Sequence, residues 1–177
     1  MRESPTASPG PPHTSLLGGS AAEEGGCALR RSRLVAVALG AESTLPVEHL
    51  MDLHLDVSIP SMIPGGPAGT RVTVQVDGGT FTGPKLSGTV IGPSADWAVA
   101  RADGSIKLDV RVLLRTDDGA DVYMSYSGIG LDGGARLRTA PTFETGDERY
   151  AWLNAVQAVA TGSSDGTVVD YQVYAIS

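Results

Sequence analysis

From residue 46 onward, apolar and polar side chains alternate one by one. Met51, Leu53, Leu55 and Val57 interleave with Leu50, Asp52, His54 and Asp56, the period of a strand with one buried face. Pro60 and the cluster Pro64-Gly65-Gly66-Pro67 are expected to end it. Residues 71–76 predict a second strand, with Val72, Val74 and Val76 on one face. Asp77-Gly78-Gly79 then reads as a tight turn before Thr80-Phe81 resumes an extended segment. Residues 86–91 predict another strand, followed by a Gly-Pro-Ser-Ala turn that Asp96-Trp97 closes. In residues 105–115, Ile106, Leu108, Val110 and Val112 oppose Lys107, Asp109 and Arg111. Further strands are expected over 121–127, 136–143, 151–160 and 168–176, with turns at Asp103-Gly104, Asp118-Gly119 and Asp165-Gly166. The one helical candidate is a short turn over 147–150.

Turn signals at this spacing, without a sustained 3.6-residue period, predict an all-β fold. A single antiparallel β-barrel of calycin-like type is preferred over a sandwich. Closure removes exposed strand edges, and the sequence shows few devices that would protect them. The expected organisation is a disordered leader or linker over 1–45 and a barrel domain over 46–177. The leader is rich in Pro, Ser, Gly and Thr and too poor in apolar residues to fold by itself. Its end, Leu29-Arg30-Arg31-Ser32-Arg33 before an apolar run from Leu34, has elements of a secretory signal. A cytoplasmic location is expected, with secretion by a cleaved leader left open. No stretch approaches the ~20 apolar residues of a membrane-spanning helix.

Charge narrows the partners. Residues 1–44 carry four basic and four acidic side chains, so the whole formal charge of −7 falls on the remainder. The sequence shows no run of Lys or Arg there, and neither nucleic acid nor an anionic membrane is expected as a partner. The only cysteine is Cys27, which leaves no disulfide framework. His49 and His54 fall on opposite faces of one strand by parity, and no metal-ligand spacing is present. With no phosphate loop, dinucleotide fingerprint or nucleophile elbow either, no cofactor is expected.

The remaining chemistry lies in polar and aromatic residues on strands. Asp109 and Arg111 share a strand face with Lys107. They either line a cavity or form a solvated face with an ion pair. Trp152 reads as a cavity wall or a core aromatic, and Asn154 as a ligand contact or a loop hydrogen bond. Asp96 beside Trp97 is the leading candidate acid, because a carboxyl against an indole is desolvated and its pKa rises; the alternative is a loop anchor. Glu144 carries the same two readings. Asp117-Asp118-Gly119 reads as a turn.

Taken in order, several segments resemble one family. They are Gly78-Gly79-Thr80-Phe81-x-Gly83-Pro84, Asp96-Trp97, Asp109-x-Arg111, Thr116-Asp117-Asp118-Gly119-Ala120, Arg138-Thr139-Ala140-Pro141-x-Phe143-Glu144 and Tyr150-Ala151-Trp152-Leu153-Asn154. From about Leu50 to the C-terminus the chain is similar to the domain-of-unknown-function 3237 family, also called uncharacterised protein family 0311. The resemblance implies a small antiparallel β-barrel. It also implies an association with cofactor-free ring closure in natural-product pathways, such as adding a hydroxyl across an activated alkene. Leu137 departs from the family pattern, standing where an aromatic residue is common.

Two functions follow as expectations. One is a cofactor-independent cyclase or isomerase acting on a medium-sized small molecule, with Asp96, Asp109 or Glu144 in acid/base roles. Arg111 or Tyr123 would then stabilise developing negative charge. The other is a non-catalytic barrel that carries such a molecule. Trp97, Asp109, Arg111, Tyr123, Trp152 and Asn154 are expected to reach the interior, with Arg138 as a further substrate contact. A homodimer is left open.

Overall fold

The computed structural model of the chain describes residues 44–177. Expectations placed on residues 1–43 lie outside them. Eight strands form one closed antiparallel barrel, each hydrogen-bonded to its sequence neighbours and β1 to β8. They are β1 (Val47–Gly66), β2 (Gly69–Thr82), β3 (Ser87–Ala100), β4 (Ile106–Thr116), β5 (Asp121–Leu131), β6 (Arg136–Glu144), β7 (Ala158–Ser164) and β8 (Val168–Ile176). Among the described residues, no helix is long and apolar enough to cross a membrane.

The period-two reading holds along β4, where residues 108, 110, 112 and 114 are buried and 107, 111 and 115 exposed. The expected turns at Asp103-Gly104, Asp118-Gly119 and Asp165-Gly166 are present, with each glycine at positive φ. At the Asp118 turn, the Thr116 hydroxyl receives the Ala120 N–H at 2.8 Å and donates to Asp118 at 2.6 Å. These side chains supply bonds that the reversing backbone lacks.

Three expected breaks are instead irregularities inside strands, and half of one expected strand is a helical run. Pro60 does not end β1; it lies in an irregularity between Ser58 and Ser61, where a residue without an N–H costs no ladder bond. Asp77-Gly78-Gly79 is not a hairpin turn. It lies within β2, where Asp56 pairs with Gly78 but Val57 with Val76, so Asp77 is one extra residue. Gly79 must be glycine: its φ is +146°, and a Cβ would stand 2.0 Å from the His54 carbonyl oxygen of β1. The Gly92-Pro93-Ser94 segment is likewise a bulge inside β3, between the pairs Ile91↔Leu113 and Ala95↔Arg111. Asp96 and Trp97 therefore stand in mid-strand. A bulge also occurs at Leu50, so both Leu50 and Met51 are buried. His49 and His54 consequently both face outward, against the parity expected of an unbroken strand.

The last correction concerns 151–160. Its first half belongs to a 3₁₀ run, Glu148–Ala155, whose start is capped by Asp147 accepting from the Arg149 N–H. Leu153 from this run is fully buried in the core with Phe81, Leu114, Met124 and Val173. It closes that end of the barrel as a plug.

A candidate active site in the open half of the barrel

The barrel interior has a filled end and a hollow end. The hollow end is a cavity of about 230 Å³. The inward residues there are short: Val72, Val74 and Val76 on β2, and Ala98 and Ala100 on β3. Leu108 and Val110 on β4 and Val169 on β8 complete most of the apolar wall. Ile59 and Met62 also line it while remaining half or more exposed to solvent, which places the mouth at the outer end of the β1–β2 hairpin.

Asp96, Tyr126 and Tyr171 bring polar groups into this cavity from mid-strand positions, and Ser164 borders it at the end of β7. Cross-strand pairing explains two of them, since Val74 pairs with Asp96, Asp96 with Val110, and Val110 with Tyr126. Neighbours in such a row project to the same face, so one row across β2 to β5 presents a carboxyl and a phenol to one space. Tyr171 arrives from β8 and packs edge-on against Tyr126, with ring centroids 5.6 Å apart.

Asp96 is held firmly. Its residue is only 8% exposed, and its Oδ1 accepts the Asp109 N–H at 2.9 Å. The β3 bulge leading to it is pinned by Ser94, whose hydroxyl donates to the Ile91 carbonyl at 2.7 Å and accepts the Leu113 N–H at 2.8 Å. Burial pushes the Asp96 pKa up to about 6, opposed by the Asp109 N–H bond and reinforced by the Asp109 charge. Burial also pushes both tyrosine hydroxyls well up, with the Asp96 charge adding to each shift. Near pH 6 the cavity thus holds two neutral phenols and a carboxyl poised between its two states.

The expected cause of the Asp96 shift is corrected. Adjacent strand residues face opposite sides, so Trp97 lies outside the barrel, 41% exposed. The interior wall, not the indole, desolvates the carboxyl. The expectation that Trp97, Asp109, Arg111, Tyr123, Trp152 and Asn154 reach the interior is corrected with it. Asp109 and Arg111 do point the same way, but outward, as an ion pair with N and O 3.1 Å apart. The Arg111 guanidinium lies 5.1 Å from the Trp97 ring centroid. Tyr123 shares a shallow outer depression with that pair and with Ser125 and Thr142.

The other candidates are also outside. Glu144 is the exposed cross-strand partner of Tyr123. Arg138 donates to the Leu137 carbonyl at 2.7 Å and borders an outer groove with His54 and Asp170. Trp152 stands in the 3₁₀ run with the Lys85 ammonium 5.6 Å from its ring centroid. Asn154 accepts the Thr145 N–H at 2.8 Å and donates to the Thr145 carbonyl at 3.0 Å, so it clamps a loop. Of the proposed site residues only Asp96 meets the cavity. Sequence reasoning missed Tyr126 and Tyr171, although strand parity carried the signal: Tyr126 alternates in phase with Val122 and Met124.

Comparison with known proteins agrees with this architecture. A protein from Penicillium herquei named hydroalkoxylation enzyme phnH is 34% identical over 125 residues, covering 70% of this chain and 79% of that protein. The crystal structure of an enzyme from Penicillium herquei superposes with a TM-score of 0.63 at 28% identity, covering 78% of this chain and all of that one (100%). A crystal structure of a protein of unknown function from Clostridium acetobutylicum gives 0.70 at 28% identity, covering 75% and 100%. A family profile described as "Protein of unknown function (DUF3237)" matches residues 45–176, and the chain belongs to that family.

Proposed function

We propose that this chain is a natural-product tailoring enzyme that closes a ring by adding a substrate hydroxyl across an activated alkene, with Asp96 moving the proton. The observation that carries the reading is Asp96 itself: a carboxyl with a pKa near 6 in an otherwise mostly apolar cavity. Similarity to a protein named as a hydroalkoxylation enzyme supports the reaction class. The reaction is redox-neutral. The Asp96 carboxyl gives its proton to one alkene carbon, and the π bond breaks. The substrate hydroxyl oxygen forms a C–O bond at the other carbon, and its proton returns to the Asp96 carboxylate. One residue thus serves as acid and then as base, as its intermediate pKa allows.

The rest of the cavity serves that step by confinement. Tyr126 and Tyr171, kept neutral by burial, offer hydroxyl donors to an oxygen of the substrate. The apolar walls exclude water that would compete for the electron-poor carbon. A cavity of about 230 Å³ is below the ~300–1,000 Å³ of common ligand sites. The substrate is therefore compact and folded, or extends through the mouth between Ile59 and Met62. Folding it there brings its hydroxyl and alkene together, which lowers the entropic part of the barrier.

Asp96→Asn tests the reading. Asn keeps the acceptor for the Asp109 N–H and removes the transferable proton. Turnover is expected to fall ~10²–10⁴-fold, with binding of the substrate retained. Undiminished turnover by a folded Asp96→Asn protein sinks the assignment. A wild type that binds an alkenol in the cavity without converting it supports the carrier reading instead.

A further inference from the structure

Outside the barrel, strands β2, β3 and β4 bring together basic residues that are dispersed in the sequence. Arg71 on β2, Arg101 at the β3–β4 turn and Lys107 on β4 line one groove of about 250 Å³ with Trp97, Val99 and Asp109. The absence of a Lys/Arg run in the sequence therefore does not carry over to the surface. Register makes the cluster: Arg71 pairs with Val99, and Val99 with Lys107.

Ion pairing divides the described cations of this molecule, and Lys85 and Arg138 share with these three the lack of a carboxylate partner. Arg115, Arg136 and Arg149 each have a carboxylate partner, and Arg111 has Asp109. Among the described residues, Arg71, Arg101 and Lys107 form no ion pair. Arg71 instead donates to the Trp97 carbonyl at 3.2 Å, which points its guanidinium along the groove. The one carboxylate in the groove, Asp109, is engaged by Arg111. Asp103, the acid nearest Arg101 in the turn, accepts both the backbone N–H and the hydroxyl of Ser105. Three cations thus stand together on a domain whose overall charge is strongly negative, beside an indole that is partly exposed and faced by the Arg111 guanidinium. Asp103, whose carboxyl feels the Arg101 charge, and Asp109 in the groove offset part of this positive charge, and an anion from outside would offset the rest.

We propose that this groove is a binding site for a compact polyanion of the diphosphate class, separate from the interior cavity. A single carboxylate would neutralise one of the three charges. A diphosphate presents two to three charges and enough acceptor oxygens for two guanidinium forks and an ammonium. The groove is small and the domain carrying it has a net negative charge, which suits a small ligand and disfavours a long nucleic-acid backbone.

The test uses Trp97 as its own reporter. In the full chain carrying Trp152→Phe, Trp97 is the only tryptophan, and inorganic pyrophosphate is titrated at low ionic strength. A saturable change in Trp97 fluorescence is expected at up to about 10 mM ligand, weakening as salt is raised. The double substitution Arg101→Ala and Lys107→Ala on that background should weaken binding at least tenfold with an unchanged melting temperature. Both side chains are on the surface, so the fold should not depend on them. Inorganic phosphate should bind more weakly than pyrophosphate. No saturable change, binding indifferent to the double substitution, or a response to duplex DNA with none to pyrophosphate would each overturn the proposal.

Discussion

The two ends of this barrel are made from the same eight strands and differ in what those strands point inward. At one end Met51, Phe81, Leu114, Met124 and Leu153 are fully buried and fill the section. At the other, the corresponding inward positions are Val72, Val74, Ala98 and Ala100, and a cavity remains. Side-chain volume, with no change of topology, decides which half is core and which half is container. The filled end holds the barrel closed. The hollow end can then carry a carboxyl away from water without the fold collapsing onto it.

The contrast can be broken most forcefully at the filled end. Phe81→Ala should cost about 3–5 kcal/mol, because neighbouring side chains relax only partly into the space. Chemical denaturation would read it, and a loss under 1 kcal/mol would mean that this end is not the core. A smaller effect, about 2–3 kcal/mol, belongs to Asp96 and depends on pH. Its pKa is raised in the fold from an ordinary 3.8 to about 6. Below pH 4 the carboxyl is protonated whether folded or not, and it carries no penalty. As pH rises from 4 to 6 the unfolded chain ionises first, so this group's contribution turns against folding and stays so above 6. Wild-type stability should therefore fall relative to Asp96→Asn over that window; parallel curves would refute the shifted carboxyl. The same titration predicts turnover flat below pH 6 and declining above it, as the proton donor is lost.

Filling the hollow end should matter less to stability and more to function. Ala98→Leu adds volume where volume is free, so the folding free energy should change by less than about 1 kcal/mol. Substrate binding should be lost because the added side chain occupies its place. A large destabilisation would show that no space exists there. The smallest effect is expected on the outer wall. Arg115→Ala breaks an exposed pair with Asp121, N and O 2.7 Å apart, and should leave the melting temperature almost unchanged, with any loss shrinking further at high salt.

The legibility of the sequence divides along the same lines. The barrel, most of its strands and several turns follow from alternation and Asp-Gly signals, because both report local backbone preference. The cavity does not. Whether Lys107/Asp109/Arg111 or Leu108/Val110 faces inward is a matter of closure, and the apolar set faces inward because burying it is the cheaper choice. Asp96 was legible as an acid only by a mistaken route. The indole beside it in sequence is across the wall in space, and desolvation comes from β2, β4 and β5. The basic groove was invisible, since its members come from three strands aligned only by register. Bulges caused the errors at Asp77-Gly78-Gly79 and Gly92-Pro93, which use turn-forming residues without turning the chain, and a 3₁₀ run replaced the first half of the strand expected over 151–160.

The extra residue at Asp77 has a consequence for how this chain can change. Below it, odd-numbered residues of β2 face inward, as Phe81 does; above it, even-numbered ones do, as Val72, Val74 and Val76 do. The bulge is a frameshift written into the protein. Substitutions along the upper strand alter the cavity one side chain at a time. Deleting a single residue at Asp77 would instead turn the whole upper wall inside out, exposing the valines and burying Thr73 and Gln75. Such a strand tolerates changes of spelling at that point but not a change of length.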